Sequence, residues 1–82
     1  MSEETKGRRA AEILKDEVFL EAEAMAKAKV MQQWEHESDQ SKRDALWHQI
    51  QALRATRVAL EVLVGRGTTA AHHAQKESRL NA

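Results

Sequence analysis

The clearest periodic pattern lies in the second half of the chain, from about Lys42 to Val64. Large apolar residues recur there at alternating intervals of four and three, with one charged residue among them: Leu46, Ile50, Leu53, Arg57, Leu60 and Val64. This spacing is the heptad repeat of a helix that packs along a second helix. Gly65 follows at the position that a C-terminal capping glycine prefers, and Gly67 supports the same end point. The pattern therefore predicts a long helix over residues 42–64.

A second apolar face runs through residues 17–37. Five of its residues are separated by three or four positions and share one side of a helix: Phe19, Ala22, Ala26, Val30 and Trp34. Alternating alanines keep the middle of this helix thin, so we expect a neighbouring helix to approach closely. Asp16 can cap the start of the helix, which predicts a bend at residues 15–17. A helix that continues through Asp16 is the open alternative.

The connection between the two long helices is predicted at residues 36–41, which include no apolar residue. Six residues suit a link between antiparallel helices. At its end, Ser41 and Asp44 have the spacing of a capping box, with Asp in place of the commoner Glu or Gln. This pattern predicts that Ser41 caps the second long helix.

The two ends of the chain lack a strong apolar pattern. Residues 1–7 are polar and end in glycine, which predicts a flexible arm. Residues 66–82 lose the heptad spacing, which predicts a flexible or weakly helical tail. The predicted fold is therefore all-α, with an antiparallel helical hairpin over residues 8–65. It consists of two long helices and a possible short N-terminal helix.

Composition narrows the classes of function. The 82 residues include no cysteine, which excludes disulfides, thiolate metal sites and thiol catalysis. So short a chain buries a modest fraction of its surface, so we expect it to oligomerise or to dock on a partner. No apolar segment reaches the roughly 18 residues of a membrane span, and none resembles a secretory signal. We therefore expect neither a membrane partner nor secretion by a signal peptide.

Charge is balanced over the whole chain but distributed unevenly along it. Thirteen acidic and thirteen basic residues give a formal net charge of zero. Residues 17–37 carry five acids and two bases, whereas residues 38–64 carry three acids and four bases. An acidic helix beside a slightly basic one favours mutual pairing and argues against a protein that mainly binds phosphate.

Arg57 occupies one of the heptad positions, which form the seam along which the second helix is expected to pack. A leucine is expected at this position. It can be buried and pair with a carboxylate across the seam, or it can extend from the seam edge to water. Both interpretations are open. In an antiparallel hairpin the candidate partners are Glu17, Glu21 and Glu23, among which we favour Glu21.

Trp34 and Trp47 flank the predicted loop, so both fall near the same end of a hairpin. We expect them to pack on each other and on Leu46. An exposed aromatic patch that docks a partner is the alternative, because tryptophan is enriched at binding hot spots. The complete set of predicted packing and interaction residues is Phe19, Trp34, Leu46, Trp47, Ile50, Leu53, Arg57, Leu60 and Val64.

No arrangement of residues indicates catalysis, a cofactor or a metal. The four histidines lack the spacing of metal ligands: His36, His48, His72 and His73. No Ser/His/Asp constellation and no phosphate-cradling loop occurs, so we expect a protein that is not an enzyme and has no small-molecule substrate. Basic residues near both ends are candidate phosphate contacts, although they bind weakly in a monomer: Arg8, Arg9, Arg66, Lys76 and Arg79.

Residues 8–65 resemble a group of small helical proteins encoded in tailed-phage and prophage genomes. The resemblance rests on these positions: Arg9-Ala10, Ile13-Leu14, Phe19, Glu21-Ala22, Trp34-Glu35, Leu46-Trp47, Ala52-Leu53, Arg57, Leu60-Glu61 and Gly65. Proteins of this group often have proline where this chain has Glu17, a departure that bears on the predicted bend. The resemblance implies a phage context, in the host cytoplasm or the virion, and it implies no active site.

Two functions from different classes follow. The first is a structural or assembly component of a phage particle, which packs on itself or on larger virion proteins. The alternative is an oligomeric DNA-binding packaging factor that resembles a small terminase-type subunit, with its basic ends facing DNA. The net charge of zero favours the first, and no helix-turn-helix with clustered basic residues supports the second.

Overall fold

The fold of the protein, seen in a computed structural model that describes residues 1–81, consists of three helices. The helices are α1 (Glu3–Lys15), α2 (Glu17–His36) and α3 (Gln40–Asn81). The predicted all-α class is therefore confirmed. α3 packs against both α1 and α2, and the molecule is a rod of 66 × 25 × 17 Å. The 42 residues of α3 account for the length, because a rise of about 1.5 Å per residue gives roughly 63 Å.

Asp16 separates α1 from α2. Its backbone is extended, with φ −68° and ψ 126°, and its N–H donates to the carbonyl oxygen of Ile13 at the end of α1. The Oδ1 atom of Asp16 accepts a hydrogen bond from the N–H of Phe19 at 2.9 Å, so the same residue caps the start of α2. The predicted bend at residues 15–17 is confirmed, and the continuous helix is excluded.

The first helix begins five residues earlier than the sequence pattern predicts. Ser2 caps it, because the Oγ atom of Ser2 accepts from the N–H of Thr5 at 3.1 Å. Glu3 and Glu4 occupy the first turn, where negative charge is favourable to the helix dipole. The prediction of a flexible arm over residues 1–7 is therefore wrong, since caps and dipole compensate for the lack of large apolar residues.

The end predicted for the second long helix is also wrong. α3 continues as a helix through Gly65 and Gly67 to Asn81. Neither glycine has the positive φ of a capping residue. The spacing of four and three also continues beyond Val64, to Gly67 and then Ala71, so the seam is longer than its large residues indicate. The tail predicted over residues 66–82 is helical as far as it is described, and Ala82 lies outside the described residues.

Gly7 and Gly67 form the closest contact between α1 and α3. A Cβ atom built on Gly7 would lie 2.7 Å from the Cα atom of Gly67 and 2.9 Å from the carbonyl oxygen of Leu63. A Cβ atom on Gly67 would lie 2.8 Å from the Cα atom of Gly7 and 3.0 Å from the carbonyl oxygen of Glu3. These glycines are therefore required for the close approach of two backbones. Gly65, by contrast, faces open space.

The connection between α2 and α3 is shorter than predicted and is capped by a different residue. α2 ends at His36 and α3 begins at Gln40. The Oδ1 atom of Asp39 accepts from the N–H of Lys42 at 3.0 Å, so Asp39 caps α3. The prediction of a cap at Ser41 is wrong, because Ser41 already lies inside the first turn.

The helices bury few side chains between them. Among the described residues, the apolar side chains that are buried are Ala10, Val30 and Ile50. Most other seam residues are half-buried, including Phe19, Leu46, Leu53, Leu60 and Val64. The core is therefore a narrow line along the contact of α3 with α1 and α2, and both broad faces of the rod are uncovered.

Candidate interaction surface

Arg57 makes the principal polar contact between α2 and α3, and its partner is Glu23. The Nε atom of Arg57 donates to Oε2 of Glu23 at 2.9 Å, and its Nη2 atom donates to Oε1 at 3.0 Å. Its Nη1 atom lies 3.5 Å from Oε1 of Glu61. The hydrogen bonds and the charge of Glu23 raise the pKa of Arg57 from its usual value. The preference for Glu21 as partner is wrong.

Helix geometry explains why Glu23 is the partner. Glu23 lies four residues after Phe19 and three before Ala26, so it belongs to the contact face of α2. Glu21 is rotated from Glu23 by about 200° around the helix and is exposed. Ala22, which was predicted for the contact face, is exposed as well. The sequence pattern missed Glu23 because a search for periodic apolar residues does not include charged residues.

The Arg57–Glu23 pair is partly buried, so it agrees in part with each of the two interpretations of Arg57, the buried pair and the side chain that extends to water. The side chain of Arg57 is 37% exposed and that of Glu23 is 25% exposed. Arg57 therefore pairs across the seam, as the first interpretation requires, while its other side reaches solvent, as the second requires. Because solvent screens a pair of this exposure, it contributes little stability, and it mainly determines which residues of α2 and α3 face each other.

The two tryptophans do not pack as a pair in the described part of the chain. Trp34 is half-buried, and the guanidinium carbon of Arg43 lies 3.9 Å from the centroid of its ring. Arg43 also donates to the carbonyl oxygen of Glu37 at 3.3 Å, which holds the guanidinium in place. Trp47 is 51% exposed and makes an edge contact with His48. The expected mutual packing is therefore wrong, and the alternative of an exposed aromatic side chain agrees with the position of Trp47.

A groove of about 210 Å³ lies between α2 and α3 on one broad face. It is lined by Leu20, Glu23, Ala24, Lys27, Ile50, Leu53, Arg54 and Arg57. The floor is apolar, and Lys27 and Arg54 stand at its rim. Within residues 1–81, neither of these two cations forms an ion pair, whereas Arg57 does.

Helical spacing extends this surface along the rod. Met31 lies four residues after Lys27, and Trp47 lies seven residues before Arg54, so both share the side of the groove. Val58 lies four residues after Arg54 and is exposed too. We call this surface the groove face and define it by Leu20, Ala24, Lys27, Met31, Trp47, Arg54 and Val58. A second groove, on the opposite side of the same seam, is lined in part by Lys29 and Gln49.

The basic residues proposed as phosphate contacts all lie toward one end of the rod, beside or on the C-terminal half of α3. Arg8 and Arg9 are on α1, and the contact of Gly7 with Gly67 places them beside the C-terminal half of α3. That part of α3 carries Arg66, Lys76 and Arg79, all of which are exposed, as are the two arginines of α1. Acidic residues accompany them, so the end is mixed rather than uniformly basic: Glu3, Glu4, Glu12 and Glu77.

Chemical groups for other kinds of site are not assembled in the part of the chain that is described. No group of three or more His, Asp or Glu side chains there could hold a metal ion. Among the same residues, no helix combines the length and the hydrophobicity needed to cross a membrane. Comparison with models of known families, with curated proteins and with solved structures found no match to this chain.

Proposed function

We propose that the protein is a non-enzymatic helical interaction protein: a hairpin, with α1 and α2 as one arm and α3 as the other, that binds other helices through its broad faces. Copies of itself are its first partners. The exposure of large apolar side chains carries this proposal. Nine such side chains within the helices are exposed: Ile13, Val18, Leu20, Met25, Met31, Trp47, Val58, Val62 and Leu80.

The energetics of the fold support the same proposal. A fully buried large apolar side chain stabilises a fold by about 1.5–3 kcal/mol, and a domain needs a net stability of roughly 5–15 kcal/mol. Only Val30 and Ile50 among the large apolar side chains described are buried, and neither of them is buried completely. A second layer of helices on a broad face would convert exposed area into core, as in a helical bundle.

The resemblance of residues 8–65 to small phage-encoded proteins supports a setting for this activity. In that setting the protein is a structural or assembly component of a phage particle. It acts in the host cytoplasm or in the virion, and larger virion proteins are its further partners.

Sedimentation equilibrium together with thermal unfolding tests the proposal. We expect a mass above that of one chain at micromolar concentration, and a Tm that rises with protein concentration, because association stabilises the folded state by mass action. A monomer whose Tm is independent of concentration would contradict self-association.

A DNA-binding packaging factor is the second candidate function, and the gathering of Arg8, Arg9, Arg66, Lys76 and Arg79 at one end favours it. In an oligomer these charges are repeated, which multiplies a weak attraction to phosphate. Binding to duplex DNA should then weaken steeply with salt, in proportion to the number of phosphates contacted. If the protein does not bind duplex DNA even at low salt, the DNA-binding function is contradicted and only the interaction protein remains.

A further inference from the structure

Beside the groove face, α2 carries one positive and one negative side chain, so that this part of the helix can pair with the same part of a second copy. Lys27, Met31 and Glu35 follow one another at intervals of four, so they form one ridge on α2. All three side chains are exposed. Within the described residues, neither Lys27 nor Glu35 forms an ion pair. When two such ridges cross in antiparallel directions at Met31, Lys27 of each helix faces Glu35 of the other.

Trp47 lies at the same level of the rod as this ridge. Trp34 lies beside Arg43, and Glu23 lies beside Arg57, so α2 and α3 run antiparallel. By the same register, Trp47 falls beside Met31. A two-fold axis through Met31 therefore brings Trp47 of one copy close to Trp47 of the other. The centre of such an interface is aromatic and rich in methionine, which is the composition found at the core of protein interfaces.

From these observations we infer that the part of the groove face nearest the α2–α3 loop, from Lys27 to Met31 and from Trp47 to Arg54, is the interface of an antiparallel two-fold dimer, centred on Met31 and Trp47, in which Lys27 pairs with Glu35 of the second copy. The inference rests on the proposed function and names its partner and its geometry. A rod 17 Å thick is a single layer of helices. Where the two copies overlap beside the α2–α3 loop, two such layers packed face to face give a short four-helix bundle around a new core.

Charge selects this occupant and this orientation. A uniformly acidic helix would suit Lys27 and Arg54 but would place like charges against Glu35. A parallel dimer on the same face would bring Lys27 and Arg54 of one copy against the same cations of the other, and like charges brought together are unfavourable. The antiparallel dimer is the arrangement in which both charges of the ridge meet an opposite charge.

Charge reversal tests the inference. In the antiparallel dimer, Lys27→Glu places two glutamates together at each end of the ridge, and Glu35→Lys places two lysines there. We expect each variant to dimerise at least about tenfold more weakly than the parent, because close like charges cost free energy at an interface. An equimolar mixture of the two variants should form a heterodimer, and the double variant Lys27→Glu/Glu35→Lys should regain the homodimer.

Lys29→Glu is the matched control, because it is the same charge reversal on the same helix at the opposite groove. It should leave the dimer unchanged, and circular dichroism checks that every variant remains helical. Sedimentation of the parent, the variants and the mixture decides between the proposals. A monomeric parent overturns both the dimer and self-association. A parent that associates, with no heterodimer in the mixture or with equal weakening by Lys29→Glu, overturns this interface alone.

Discussion

Gly7 of α1 and Gly67 of α3 meet so closely that a Cβ atom on either would lie within 2.8 Å of the other's Cα atom. Both obstructing atoms belong to the backbone of a helix, so the contact is not relieved by a rotation of a side chain. The two helices are therefore held at a distance that only glycine permits. This contact fixes the register of α1 on the C-terminal half of α3.

Replacing Gly67 with alanine should destabilise the protein. The added methyl group favours a helix by roughly 1 kcal/mol, but the clash with the backbone of α1 costs about 1–3 kcal/mol and the helices must separate. Gly65→Ala is the matched control, since Gly65 is in the same helix and faces open space. It should stabilise the protein by roughly 0.5–1 kcal/mol. Denaturant unfolding measures both, and an equal gain in stability for the two variants would show that the contact is looser than described.

The position of these glycines also shows what the sequence could predict and what it could not. The heptad of α3 was predictable from Leu46 to Val64, because large apolar residues at intervals of four and three are typical of a helix that packs on another helix. Beyond Val64 the same spacing continues through Gly67 and Ala71, whose small side chains carry no hydrophobic signal. A glycine after a heptad indicates a helix end or a close contact, and only the facing Gly7 distinguishes the two.

The candidate surface was predictable in part for similar reasons. Charge in the seam singled out Arg57, either to pair with a carboxylate or to extend to water. Three glutamates were candidate partners, and the rotation of α2 about its axis decides among them. An apolar pattern places Ala22 on the contact face, whereas the structure places Glu23 there. The exposure of Trp47 was one of two alternatives that the sequence left open, and in the structure Arg43 rather than Trp47 contacts the ring of Trp34.

The ion pair formed by Arg57 and Glu23 predicts that the effects of mutations on stability are coupled at these two positions and are not coupled between Arg57 and Glu21. Arg57→Met retains most of the side-chain stem and removes the charge, and it should lower Tm slightly, because the pair is partly exposed and screened by salt. A double-mutant cycle of Arg57→Met with Glu23→Gln should show a coupling between the two sites. The same cycle with Glu21→Gln should show none. Coupling to Glu21 in place of Glu23 would mean that the phase of α2 differs from the one described.

Leu53 lies between the two grooves of the seam and lines both of them. Leu53→Ala should lower the free energy of unfolding by about 2–3 kcal/mol, toward the low end for a leucine because the side chain is half-buried. Leu80→Ala makes the same chemical change at a side chain that is 77% exposed, and it should have almost no effect. Urea unfolding of both variants compares them, and similar losses would mean that α3 presents a different face to α2.

The start of α3 predicts a difference between two neighbouring capping candidates. Asp39→Ala removes the carboxylate that accepts from the N–H of Lys42, so it should cost about 0.5–2 kcal/mol of stability. Ser41→Ala should cost little, because Ser41 lies inside the helix and alanine is the better helix former. Thermal unfolding followed by circular dichroism resolves the two variants. A larger loss for Ser41→Ala would restore the cap that the sequence pattern indicates.

The two tryptophans should differ in their access to solvent, and that difference can be measured separately. Trp47→Phe leaves Trp34, whose ring is covered by Arg43, so acrylamide should quench the remaining fluorescence weakly. Trp34→Phe leaves Trp47, which is half exposed in the single chain, so quenching should be strong at low protein concentration.

If Trp47 lies at the centre of a dimer, its quenching should fall and its emission should shift to shorter wavelength as concentration rises. Adding Lys27→Glu to the Trp34→Phe variant should abolish that dependence, whereas adding Lys29→Glu should preserve it. Quenching of Trp47 that stays strong at concentrations where the chain associates would place the contact on another face.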